Sequence, residues 1–204
     1  MKSLLLYQFI FYTLGIAFSC FGKYLRLIYE QFPTVNSTII EYLFGLIWYL
    51  RLALCMMVFG IICSYKFKVE LSDLDIKNNA KNRTVIGIGA IIASISVLLY
   101  QKGVNIYSLI VFGLIFIYNA AIYLPLLLNS IHLANRIEDK AHKKAIFYIA
   151  VMAFCLVSIF LSFLLDQLML VFYSARFSIF YYLAWVWAII GFISSYFGYM
   201  KPAK

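Results

Sequence analysis

Few residues in this chain could do chemistry, and the first is Arg51, in the stretch GLIWYLRLALCMMVFG. A guanidinium is a permanent cation with five donors, so it can bind an anion or cross-link helices through carbonyl oxygens. Apolar residues flank Arg51 deeply on both sides, and it lies twelve residues into its run, about 18 Å along a helix. At that depth even insertion scales put the cost of a charge at about 2.5–3.5 kcal/mol, so the side chain is expected to face a bundle interior or a wet cavity.

Glu41 is a poor partner for it, since ten residues of one helix separate the two by about 15 Å and about 80°. Asn119 is the better candidate by depth, being twelve residues from the start of its own run. Its carbonyl can accept from a guanidinium, with backbone carbonyls and Tyr49 or Tyr118 taking the remaining donors. That pairing leaves a positive charge that an anionic head group, a ligand carboxylate or water would satisfy. The sequence thus predicts a polar intramembrane site of Arg51 and Asn119, rimmed by Glu41 and Asp166. The competing reading is that Arg51 only ties two helices together. Asp166 and Gln167 close an apolar run at its outer end, and Gln8 falls outside the group.

Other chemistry is missing from the chain. It contains no HExxH, GxSxG, DxxxD or Walker pattern and no paired acids within an apolar run. His132 and His142 are ten residues apart without carboxylates at ligand spacing. Cys20, Cys55, Cys63 and Cys155 are scattered and read as small core residues. No metal, cofactor or enzymatic activity is expected.

The elements that position these residues are set by composition. Of 204 residues, 65% are hydrophobic and only 12% are charged, too few to cover the surface of a water-soluble domain of this size. The reading is an all-α integral membrane protein of one domain, residues 1–204. Six apolar runs, about 4–22, 39–63, 84–100, 107–129, 145–165 and 177–200, each match the length of a transmembrane helix. Met1-Lys2 and the run behind it form the first span, because the run passes Phe21 without a cleavage site. Pro125 is expected to kink the fourth span, whose helical pattern continues about two turns beyond Asn129.

The formal net charge is +9. Its distribution favours a membrane topology over nucleic-acid binding: twelve of seventeen basic residues fall on one side of the six spans and four on the other. The positive-inside rule then puts both termini in the cytoplasm of a multi-pass cell-membrane protein. Asn36-Ser37-Thr38 is an outer glycosylation sequon, and Asn82-Arg83-Thr84 lies on the inner face.

Between lipid-solvated helices, close packing replaces the hydrophobic drive, so small residues in register mark contact faces. Ala184, Ala188, Gly191, Ser195 and Gly198 form such a seam along the sixth run. Shorter versions are Gly15, Ser19 and Gly22; Gly89, Ala93 and Ser96; and Cys155, Ser158 and Ser162, with Ala150 and Ala153 turned to a different side. The seams suit a compact six-helix bundle, or a homodimer face on the sixth span.

The last run, FYYLAWVWAIIGFISSYFGYMKP, resembles the final helix of multi-span membrane sensor modules in archaeal signalling proteins. There an aromatic, glycine-bearing helix ends in a proline before a cytoplasmic output domain. The resemblance covers about twenty-five residues and implies a sensor. No kinase or PAS domain follows here, so output would pass to a separate protein through the cytoplasmic loops or the small-residue seam. The expected function is a non-enzymatic sensor or ligand-binding membrane module. The alternatives are a small transporter or channel subunit, and a structural subunit of a larger membrane complex. The expected partners are the lipid bilayer and such a protein, with no nucleic acid.

Overall fold

The computed structural model describes residues 7–8, 10–18, 21, 51–72, 79–98, 105–173 and 178–200. All of these are helical except the connector Ile137–Asp139 and Ser178. The helices are α1 (residues 10–18), α2 (Arg51–Ser72), α3 (Asn79–Leu98), α4 (Asn105–Arg136), α5 (Lys140–Tyr173) and α6 (Ile179–Ser195), and a π-helical turn, Tyr196–Met200, extends α6. Four of them are long and apolar enough to cross a membrane, and Leu52–Lys66 forms a shorter apolar helix. This is an all-α protein built of membrane-type helices. Residues 4–6, 9, 19–20 and 22 of the first apolar run and the front half of the second lie outside the described residues.

The chain divides into two compact units, Met1–Gly103 and Val104–Lys204. In the first, α1 and α2 pack antiparallel through small residues. A Cβ placed on Gly15 would sit 3.0 Å from Met57 Cγ and 3.2 Å from the Ala53 carbonyl oxygen, and one on Gly60 would sit 3.2 Å from the ring of Tyr12. Beside this contact Phe11 and Phe59 pair, ring centroids 5.6 Å apart. From Tyr12 to Gly15 the partner numbers fall from Gly60 to Met57 and Ala53, the order of two antiparallel helices. Val58 and Ile61 on α2 are fully buried.

Hydropathy predicts that the second run stops at Cys63 and the third begins at Thr84. Helix α2 continues to Ser72, and α3 begins at Asn79. A tertiary bond holds these polar extensions together: the Tyr65 hydroxyl donates to Asn82 Oδ1 at 2.8 Å. The asparagine of the Asn82-Arg83-Thr84 sequon is therefore a helix-pairing residue. Gly89, Ala93 and Ser96 are buried on α3 while Ile88, Ile91 and Leu98 are exposed, which gives that helix one packed side and one lipid-type side. Ser96 turns its hydroxyl back to the Ala93 carbonyl at 2.7 Å, which hides a polar group on an apolar helix.

The second unit is an antiparallel row with α5 in the middle, packed on α4 along one side and on α6 along the other. Two buried sides explain why Ala150 and Ala153, as well as Cys155 and Ser162, are covered. Helix α4 has 32 residues and α5 has 34, about 48 and 51 Å at 1.5 Å per residue. Both exceed the roughly 30 Å hydrocarbon thickness of a bilayer. Helix α4 runs through Pro125, on its exposed side, to Arg136, seven residues past Asn129.

Asp139 starts α5. Its Oδ1 accepts from the Ala141 N–H at 3.0 Å, its carbonyl accepts from the Lys143 N–H at 2.9 Å, and its Oδ2 pairs with His142 Nδ1. The His142 contact first, and then the Ala141 N–H, hold the Asp139 carboxyl below its ordinary value. A lowered folded-state pKa gives stability that is full above the unfolded pKa and is lost as pH falls through the folded one. Amide exchange at Ala141–Lys144 is therefore expected to quicken as pH falls through the lower carboxylate range, after correction for intrinsic rates. In Asp139→Ala it should be fast at every pH, with the rest of α5 unchanged.

Candidate functional site

Asn119 is the best-defined polar group in the apolar part of the chain. It lies twelve residues past Tyr107, about 18 Å along α4. Ile115, Asn119 and Tyr123 are each 0% exposed, and their four-residue spacing puts them on one helical face. Val111, Phe112, Tyr118 and Ile122 widen that face into the stripe that meets α5.

Across that contact Asn119 Nδ2 donates to the Leu156 carbonyl oxygen at 3.1 Å. Turning the amide over would set two carbonyl oxygens against each other, so this bond also fixes which way the amide points. Its Oδ1 is then fully buried and accepts no hydrogen bond among the described residues. A buried acceptor left without a donor costs about 1–3 kcal/mol. In chemical terms the position is an acceptor in a dry, apolar setting, suited to receive one hydroxyl, amide or ammonium proton.

Asp166 performs a different task. Sequence analysis sets it at the end of a span, but α5 continues seven residues further, to Tyr173. The side chain is 8% exposed, and its Oδ1 accepts from the Ser178 N–H at 2.9 Å and the Ser178 hydroxyl at 2.7 Å. Ser178 is the cap position of α6, and its own hydroxyl makes no bond to that helix. The carboxylate of α5 therefore caps α6, bringing negative charge to the positive end of the helix dipole. Ten residues of α5 separate Asp166 from Leu156, about 15 Å, so Asp166 and Asn119 do not share a site. The Arg51 side chain and all of Glu41 lie outside the described residues.

The small-residue seam of the last run faces α5. A Cβ on Gly191 would sit 3.1 Å from Cys155 Cβ, and one on Gly198 would sit 3.0 Å from Ile149 Cγ1. Between them the Ser195 hydroxyl donates to Met152 Sδ at 3.4 Å. Ala184 and Ser195 are buried and Ala188 is half-buried. Aromatic pairs flank the seam: Phe154 on Trp187 edge to face at 5.6 Å, and Tyr148 stacked on Phe197 at 5.3 Å.

Sequence reasoning missed the Ser178 cap, the Met152 contact and the Asp139 helix start. The last had a readable signal, an aspartate directly ahead of a helical pattern. The other two depend on which helices are neighbours. Among the described residues His, Cys, Asp and Glu form no group of three or more that could hold a metal ion. No protein-family model, curated protein or solved structure matches this chain.

Proposed function

We propose that this polytopic membrane protein is a non-enzymatic sensor or ligand-binding module whose ligand delivers a hydrogen-bond donor to Asn119 Oδ1. The supporting observation is that acceptor: fully buried, at mid-helix, with its amide NH2 already committed to Leu156 and no donor on its oxygen among the described residues. Buried polar groups are rarely left unmatched, and each exception calls for a cause. A ligand supplying the missing donor would recover the desolvation cost of the oxygen, which gives binding a driving force in an apolar setting. The free group is an acceptor, so a carboxylate has nothing to bind there. Any anion belongs to Arg51 instead.

The signal would travel by geometry. Asn119 ties α4 to α5 at mid-length, and the same two helices continue to the charged connector Ile137–Asp139. A donor on Oδ1 competes for the orientation of the amide that holds the pair, biasing two packed arrangements.

The test uses the full chain in lipid nanodiscs with four probes of one chain length: hexanol, hexanamide, hexylamine and hexanoate. Thermal stability should rise with one or more of the three donors in wild type and not in Asn119→Leu. Hexanoate should act through Arg51 alone, so that Arg51→Met retains the fold and loses only that response. Equal responses in wild type and Asn119→Leu to every donor would remove the site. Flux of a probe through reconstituted vesicles, abolished by Arg51→Met, would favour the transporter reading instead.

A further inference from the structure

The outer face of α5 combines three observations that a bundle alone does not require. Lys140, Lys143 and Lys144 are exposed in its first two turns. At 100° per residue all three lie within about 60° of Phe147, which in turn lines up with Phe154 and Leu161. These three apolar side chains are 58%, 48% and 41% exposed, so the lysines stand at the head of an exposed apolar stripe.

The stripe also has a wall. Trp187 of α6 packs edge to face on Phe154, 5.6 Å between ring centroids. The lysines precede Ala145, where the apolar run begins, by one to five residues, or up to about 7 Å along the helix. That is the thickness of the headgroup layer on one side of a bilayer. Glu138 and Asp139 lie just before the helix, but the Asp139 carboxylate is occupied by the Ala141 N–H and His142.

We propose that this face of α5 holds an anionic phospholipid, its phosphate among Lys140, Lys143 and Lys144 and one acyl chain along Phe147, Phe154 and Leu161 beside Trp187. Charge complementarity selects the occupant. Three ammonium groups at phosphate depth attract an anionic headgroup, and a zwitterionic one gains much less. The apolar stripe continuous with them distinguishes a lipid from a free phosphate, which would gain nothing from Phe154 or Leu161.

Trp187 reports on the site. In Trp48→Phe/Trp185→Phe it is the remaining tryptophan of the three in the chain. That variant is placed in phosphatidylcholine nanodiscs holding the same minor fraction of chain-brominated phosphatidylglycerol or chain-brominated phosphatidylcholine. Enrichment of the anionic lipid at Trp187, read as quenching, should be about fivefold or more. It should vanish in K140Q/K143Q/K144Q and persist in K140R/K143R/K144R. Equal quenching by the two lipids overturns the proposal, as does a preference that survives the glutamine substitutions or is lost with the arginine ones. Added inorganic phosphate should leave the quenching unchanged; relief of quenching by phosphate would assign the lysines to a free anion and overturn the lipid site.

Discussion

Asn119→Leu is expected to be as stable as the wild-type protein or more stable, whereas Asn119→Asp should lose several kcal/mol. Both side chains keep asparagine's number and branching of heavy atoms, so neither opens a cavity. Leucine removes one hydrogen bond, to a Leu156 carbonyl that is already part of the α5 ladder, a loss of about 0.5–1.5 kcal/mol. It also removes a buried oxygen without a donor, a gain of about 1–3 kcal/mol, and adds apolar contact in a fully buried place. Aspartate does the reverse. It introduces a charge at a position that is 0% exposed and deletes the NH2 donor, leaving a buried anion facing a carbonyl oxygen. Reversible unfolding in mixed micelles would measure both. A loss of about 2 kcal/mol or more in Asn119→Leu would mean that a donor already occupies Oδ1 in the resting protein, and the acceptor would no longer be open to a ligand. Tolerance of Asn119→Asp would reveal a cation close by.

The second large effect is expected at the α5–α6 seam. Gly191→Ala places a methyl group 3.1 Å from Cys155 Cβ, a contact between two side-chain roots that no rotamer change relieves. Gly198→Ala meets Ile149 Cγ1 at 3.0 Å and the Ile149 backbone N at 3.3 Å. Each should cost about 1–3 kcal/mol through forced separation of the helices, and in lipid that packing is the main source of helix association. Gly191→Ala combined with Cys155→Gly should recover part of the loss, giving a coupling energy in a double-mutant cycle. Gly87 and Gly113 are the controls, since nothing lies within 4 Å of a Cβ built on either. Alanine there should stabilise by about 0.4–1 kcal/mol by restricting the unfolded backbone. Equal effects at all four glycines would show that the seam is not a packing constraint.

The outcome at Asp166 shows how far sequence alone could reach. A carboxylate after an apolar run reads as the end of a span, because hydropathy averages over side chains and is blind to backbone hydrogen bonds. Those bonds continue for two more turns, and the acid is held by a serine twelve residues later. The same limit applies at Ser72, Asn79 and Lys140, where helices run past the apolar boundary. A helix ends where its ladder and caps end; an apolar run ends where water begins.

What the residues settled in advance is the helical, membrane-type character of the chain, because that follows from local composition. Folding decided what no period carries: that the last-run seam meets Cys155 and Ile149, that Asp166 caps α6, and that the Asn119 amide points its nitrogen at Leu156. Each of these joins residues far apart along the chain, and each depends on which helix lies next to which. The direction of one amide is therefore a property of the packed helices, and with it goes the identity of the atom left to receive a ligand.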